Sequence, residues 1–327
     1  MKLLLALAIS LGGCAVDEQP EGYPAELGTP ENPVPMADSY TVQTRVTIAL
    51  DLPPVTTAVA NLRSFSQAAG RALLSRSGTV PAPAWIATLP ASLRTNLESY
   101  IDAELDKVKF GTKTLRQVTG ELGTIAETSL TSFTIESSLA ISPTSVVHSL
   151  VDLNFTPSSL DIVIPIGGLD ADKILQRPVA SIGIGGALTL GEQRFSLAFG
   201  AHAWHAINLA SEHLFGEGVS LVSGVDCGAV GRAVAARCLT SSPTSCVGHA
   251  SELENACKLG LATLVDDLRT RITPIEIGDV HFASGAARLV DDGSDGIADR
   301  IVDGTWDAEM DHGQGARTVT ATFVAYD

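Results

Sequence analysis

The chain is poor in basic residues and in aromatics. Lysine and arginine total 21 against 37 aspartates and glutamates, giving a formal net charge of -16, and the basic residues are scattered, not clustered. Nucleic-acid binding draws on Lys/Arg clusters that displace phosphate counterions, so a nucleic-acid partner is disfavoured. The same sign disfavours adsorption to anionic lipid head groups. Aromatics make up 5% of the residues, which leaves Ile, Val, Leu and Ala to build most of a core. No G-x-S-x-G, H-E-x-x-H or G-x-x-x-x-G-K-[ST] occurs, so nucleophile-elbow, zincin and P-loop chemistries lack their signatures. No apolar run reaches the ~20 residues that a spanning helix needs.

What is present reads as a globular, exported protein. Apolar residues are 45% and charged residues 18% of 327, enough for one large domain or two ordinary ones. Met1-Lys2 is followed by an apolar run from Leu3 to Leu11 and then by Gly12-Gly13-Cys14. This resembles the bacterial lipoprotein signal with its lipobox. The resemblance implies a signal peptide over 1–13, a diacylglycerol on the Cys14 thiol and a membrane partner reached through that lipid. Ala15 follows instead of an aspartate, which by resemblance to the usual lipoprotein sorting rule favours the outer membrane. Residues 14–40 hold Pro20, Pro24, Pro30, Pro33 and Pro35 with six acidic residues and no Lys or Arg. They read as a disordered, extended tether.

Residues 41–327 read as one α+β domain, an antiparallel sheet packed against helices. Tyr40 to Leu50 alternates as a strand. Helical spacing covers about 54–76, with Val55, Val59, Leu62, Phe65 and Leu73, and then a second helix from Pro90 to Val108. From about Gly123 the period changes to alternation, with strands on Phe133/Ile135/Leu139, Val147/Val151/Leu153/Phe155, Ile162/Ile164/Ile166, Leu188/Leu190 and Phe195/Leu197/Phe199. Gly183-Ile184-Gly185-Gly186 has the composition of a phosphate loop but no helix after it, so it reads as a bend. Residues 208–273 return to helix, Ser251 to Glu254 matching a capping box. Strands resume over 275–327, with a change of phase at Gly278-Asp279. A division into two domains near 208 is the alternative.

Beyond Cys14 the cysteines read C-x10-C-x7-C-x10-C, at Cys227, Cys238, Cys246 and Cys257. An even number in an exported chain indicates disulfides. Residues eleven apart on a helix lie about three turns apart on one face. Two antiparallel helices over 226–273 therefore align Cys227 with Cys257 and Cys238 with Cys246, a nested pair of bridges.

Two clusters invite a metal. Asp291, Asp295 and Asp299 take the first, fifth and ninth places of a loop, with Gly296 at its turn. The loop resembles the calcium loops of EF-hands and related extracellular modules, and the resemblance implies a structural calcium ion. Gly293 replaces its second carboxylate and Val302 its bidentate glutamate, and an Asp-Gly hairpin loop explains the same residues. His202-Ala203-Trp204-His205, read on a strand, sends its imidazoles to opposite faces. The chain thus reads as an anchored envelope lipoprotein, not an enzyme and with no cofactor apart from that calcium. Its partner would be an envelope protein, a polymer or an apolar ligand. A carrier with a cavity between sheet and helices, and an extracytoplasmic hydrolase, are the alternatives.

Overall fold

The computed structural model describes residues 36–48, 53–74, 84–142, 145–157, 160–167, 174–240, 248–275, 277–293, 296–311 and 315–327. Cys14, the signal region and most of the expected tether lie outside them. The last residues assigned to the tether are part of the fold. Met36 bridges Ala298, and the buried Tyr40 hydroxyl donates to Ala298 O at 2.5 Å while accepting from Ala37 N at 3.0 Å.

An antiparallel sheet is built from long strands whose residues alternate between core and solvent. They are β1 (Ser39–Thr47), β4 (Ser132–Ser142), β5 (Ser145–Phe155), β11 (Ile277–Val290), β12 (Arg300–Asp311) and β13 (Ala316–Tyr326). Between β1 and β4 lies a two-residue hairpin, β2 (Lys109–Phe110) with β3 (Lys113–Thr114). Five short strands, β6 (Ile162–Pro165), β7 (Leu175–Gln176), β8 (Ala180–Ile182), β9 (Ala187–Leu190) and β10 (Gln193–Leu197), complete the sheet. The order is β6-β5-β4-β1-β13-β12-β11-β9-β8, with β10 also on β11 and β7 also on β5. In β1, Tyr40, Val42, Thr44 and Val46 are buried and the intervening residues exposed. The glycine-rich segment at 184–186 is a short 3-10 turn into β9, the bend expected for it.

β5 departs from simple alternation. Glu136 pairs with Asp152 but Ser137 pairs with Leu150, so Val151 bulges out and is 43% exposed. The expected core face Val147/Val151/Leu153/Phe155 is therefore corrected: Val146, His148 and Leu150 point inward before the bulge, Leu153 and Phe155 after it. A second bulge, in β11 between its pairings with Phe195 and Leu197, accounts for the phase change at Gly278-Asp279. The sheet curls until β5 meets β10. There the imidazole of His148 bonds Gln193 Oε1 and Ser137 Oγ and stacks on Trp306, whose indole N–H donates to Thr44 Oγ1.

Helices gather against one end of this curl: α1 (Pro53–Gln67), α2 (Ala69–Leu74), α3 (Ala84–Ala87), α4 (Ala91–Leu105), α5 (Leu115–Thr131), α6 (Phe199–Phe215), α7 (Cys227–Thr240) and α8 (Ala250–Ile272). The first two were expected as one helix. Two stretches expected as strand are helix instead. α5 runs through Gly123 to Thr131, started by a capping box between Thr114 and Gln117. α6 begins at Phe199, because Phe199, Ala203, Ala206, Ile207 and Ala210 recur at helical spacing and are buried. Its Phe199 ring packs 4.7 Å from Phe133 in the sheet. Position 208 falls inside α6, and buried side chains of the described residues form one cluster from Tyr40 to Ala325.

α7 and α8 form the expected antiparallel hairpin, with Cys227 and Cys257 joined by a disulfide. Asp226 caps α7 through Ala229 N at 2.9 Å. The capping box expected at Ser251 is not used; the N-cap is His249, two residues earlier, and Glu254 pairs with Lys258. Cys238 is also disulfide-bonded, and Cys246 lies outside the described residues. The buried Glu104 carboxylate of α4 holds Arg237 of α7 at 2.9 Å, fastening the hairpin to the rest.

Candidate functional site

α6 has three kinds of surface. One face is the buried stripe that meets α5 and the sheet. Next to it, Trp204, Asn208, Ser211 and Glu212 follow i, i+4, i+7, i+8 spacing and so form a second stripe along the helix. This second stripe is not covered by another helix. It is one wall of a cleft of about 410 Å³. The facing wall is Leu62 of α1, Leu122 of α5 and Val265 and Leu268 of α8. Phe215 and Leu221 close one end, where the chain reverses after α6 at Gly216, whose φ of 102° suits glycine.

The volume lies within the ~300–1,000 Å³ typical of small-molecule sites. The space beneath the disulfide hairpin, between Leu73 and Val234, is about 10 Å³ and holds no more than a water. The cleft is not where the carrier reading placed a cavity. Its walls come from helices and the 216–221 loop, and no strand residue lines it.

Trp204, Leu209, Val219 and Val265 are half-buried or exposed and make the open apolar floor over the buried Leu62, Leu122, Ile207, Leu221 and Leu268, while His205, Asn208 and Glu212 are exposed at the mouth. Among the described residues, no lysine or arginine lines the cleft. The Ser211 hydroxyl donates to Ile207 O at 2.7 Å, and no hydrogen bond joins it to His205 or Glu212 among the described residues. A nucleophile needs a base within hydrogen-bond reach, so these three groups do not form a triad. His202, the other imidazole of the pair, donates through Nδ1 to Ala198 O at 2.8 Å.

No family model, curated protein or solved structure matches the chain. Functional inference therefore stays with the chemistry of the residues.

The remaining candidates are placed as follows. In the acidic loop, Asp299 Oδ2 accepts from the backbone N–H groups of Asp292 at 2.6 Å and Gly293 at 3.0 Å, and Asp291 Oδ2 accepts from Gly296 N at 2.8 Å. Arg300 makes a two-point pair with Asp292. Asp291 is 5% exposed and its Oδ1 is buried without a described partner. Asp295 lies outside the described residues. Among those described, no three His, Cys, Asp or Glu side chains converge to hold a metal. Backbone donors and a guanidinium occupy the carboxylates, the arrangement of a self-capped turn.

His148 is the most perturbed group. Complete burial lowers its pKa to about 4, against the opposing effect of its bond to Gln193. It is buried in the sheet and is not among the residues that line the cleft. The residues that reading the sequence missed are Trp204, Asn208 and Glu212. Their shared spacing was legible, had 199–215 been recognised as helix.

Proposed function

We propose that the protein is an envelope lipoprotein that binds a small apolar ligand in the helical cleft, without catalysing a reaction on it. The observation that carries the reading is the cleft itself. It combines a volume of about 410 Å³ with an apolar floor and a few polar groups at the mouth, the general composition of a ligand site. Burying apolar ligand surface on that floor supplies affinity at about 25 cal/mol per Å² before the costs of association. The lipobox-like Leu11 to Cys14 supports a reading in which the protein is exported and anchored, with the cleft outside the cytoplasm. An acyl chain on Cys14 would hold the protein at a membrane; among the described residues, no helix is long and apolar enough to cross one.

The test is binding of the uncharged dye Nile red to the full chain carrying Cys14→Ala, which removes the acylation site. Saturable fluorescence enhancement is expected, with loss of binding in Val265→Trp, where an indole on α8 fills the mouth. Dye binding that is non-saturable, or indifferent to Val265→Trp, overturns the cleft as the site. Acyl labelling tests the anchor separately: equal label in the wild type and Cys14→Ala ends the lipoprotein reading.

A further inference from the structure

We propose that the ligand of the cleft is a cationic amphiphile, an apolar chain or ring ending in a protonated amine. This rests on the cleft being the binding site and goes on to name what it selects. The polar groups at the mouth are Glu212, Asn208, Ser211, Ser220 and His205, and neither lysine nor arginine is among the lining residues. A carboxylate, sulfate or phosphate head group would meet neither lysine nor arginine among the lining residues and would lie beside the like charge of the Glu212 carboxylate. An ammonium group instead meets the Glu212 carboxylate, which has no ion-pair or hydrogen-bond partner of its own among the described residues.

The placement along α6 gives the ligand a direction. Trp204 and Glu212 are eight residues apart, two turns and ~12 Å along the helix axis, on the same stripe. A head group at Glu212, beside Ser211 and the Ser220 loop, leaves the apolar body lying along the half-buried Val265 toward Trp204. The field of the whole chain acts in the same sense. A net charge of -16 raises the local concentration of cations and lowers that of anions.

The experiment displaces Nile red from the full chain carrying Cys14→Ala with n-octylamine, n-octanol and n-octanoate, three ligands with the same tail. An exposed ion pair is weak, so the expected margins are modest: octylamine several-fold better than octanol and about tenfold better than octanoate. The margin shrinks as salt is raised. In Glu212→Gln the advantage of octylamine over octanol is lost. Octanoate equal to or better than octylamine overturns the proposal, as does an amine preference that survives Glu212→Gln, while the cleft reading stands. Dye that fails to bind at all defeats the cleft reading instead. A dimer by light scattering that Val265→Trp dissociates makes a second copy of the chain the occupant and overturns the proposal.

Discussion

His148 and Gln193 are 45 residues apart in sequence and join side chain to side chain at 2.5 Å, tying β5 to β10 inside the sheet. With Gln193 Oε1 accepting, His148 Nδ1 carries the proton and Nε2 accepts from Ser137 Oγ at 2.7 Å. That places a neutral imidazole in a fully buried site, with a pKa of about 4 against 6.5 in the unfolded chain. Between those values the unfolded chain binds the proton more readily, so protonation favours unfolding. The contribution is fully present above pH 6.5, falls as pH drops toward 4 and changes no further below that. Its size is about 3 kcal/mol. Urea unfolding at a series of pH values checks it. The slope between pH 6.5 and 4 is expected to be steeper in the wild type than in His148→Gln, which does not titrate.

The Cys227–Cys257 bridge closes a loop with a sequence separation of 30. Removing it through Cys227→Ala with Cys257→Ala frees that loop in the unfolded chain and is expected to cost about 3 kcal/mol. Since Cys238 is also oxidised, peptide mapping without reduction is expected to recover a Cys238–Cys246 pair. A peptide joining Cys238 to Cys14 would overturn both the nesting and the acylation site.

Gly231 sits where α7 and α8 approach closely. A Cβ there would lie 2.5 Å from Ala250 O and 3.0 Å from Glu254 N, both backbone atoms that cannot rotate away. In an open helix Gly→Ala is stabilising by up to about 1 kcal/mol. Here the helices must separate, and Gly231→Ala is expected to destabilise by about 2 kcal/mol. The sign of the change, read from the shift in urea midpoint, separates the two cases.

How much of this was readable before the structure varies with the element. β1, β4 and β13 alternate cleanly because one face meets water, and a period of two follows from that alone; β12 does so only from Gly304 on, because a bulge between Ile301 and Gly304 buries Ile301 in place of the expected Val302. α5 was misread, and its threonines show why. Thr119, Thr124, Thr128 and Thr131 look strand-forming, yet in the helix their hydroxyls donate to carbonyls four residues back, at 2.8–3.2 Å. β5 was given the wrong face because one bulged residue, Val151, reverses the alternation. The Cys227–Cys257 bridge was readable because helical geometry fixes it locally. The cleft was not, since it is the space left between α1, α5, α6 and α8, and no local pattern encodes a gap between four elements. The His148 site depends in the same way on the closing of the whole sheet.

The acidic loop gives a last, separate test. Asp299 accepts two backbone N–H groups with one oxygen, so its carboxylate does structural work without any ion. Asp299→Ala releases both donors. These bonds are solvent-exposed, so water replaces the acceptor and the expected cost is about 1 kcal/mol, not the larger penalty of a buried orphan. Arg300 stays paired with Asp292, which limits how far the turn can open. If the carboxylates act only as caps, thermal unfolding of the wild type is unchanged between excess calcium and chelator, and Asp299→Ala is lowered equally in both. If calcium raises the wild-type midpoint and the rise is lost in Asp299→Ala, the loop binds the ion. The backbone donors at residues 292 and 293 would then have to give up their acceptor for it, since an oxygen already holding two N–H groups is a poor ligand for a cation.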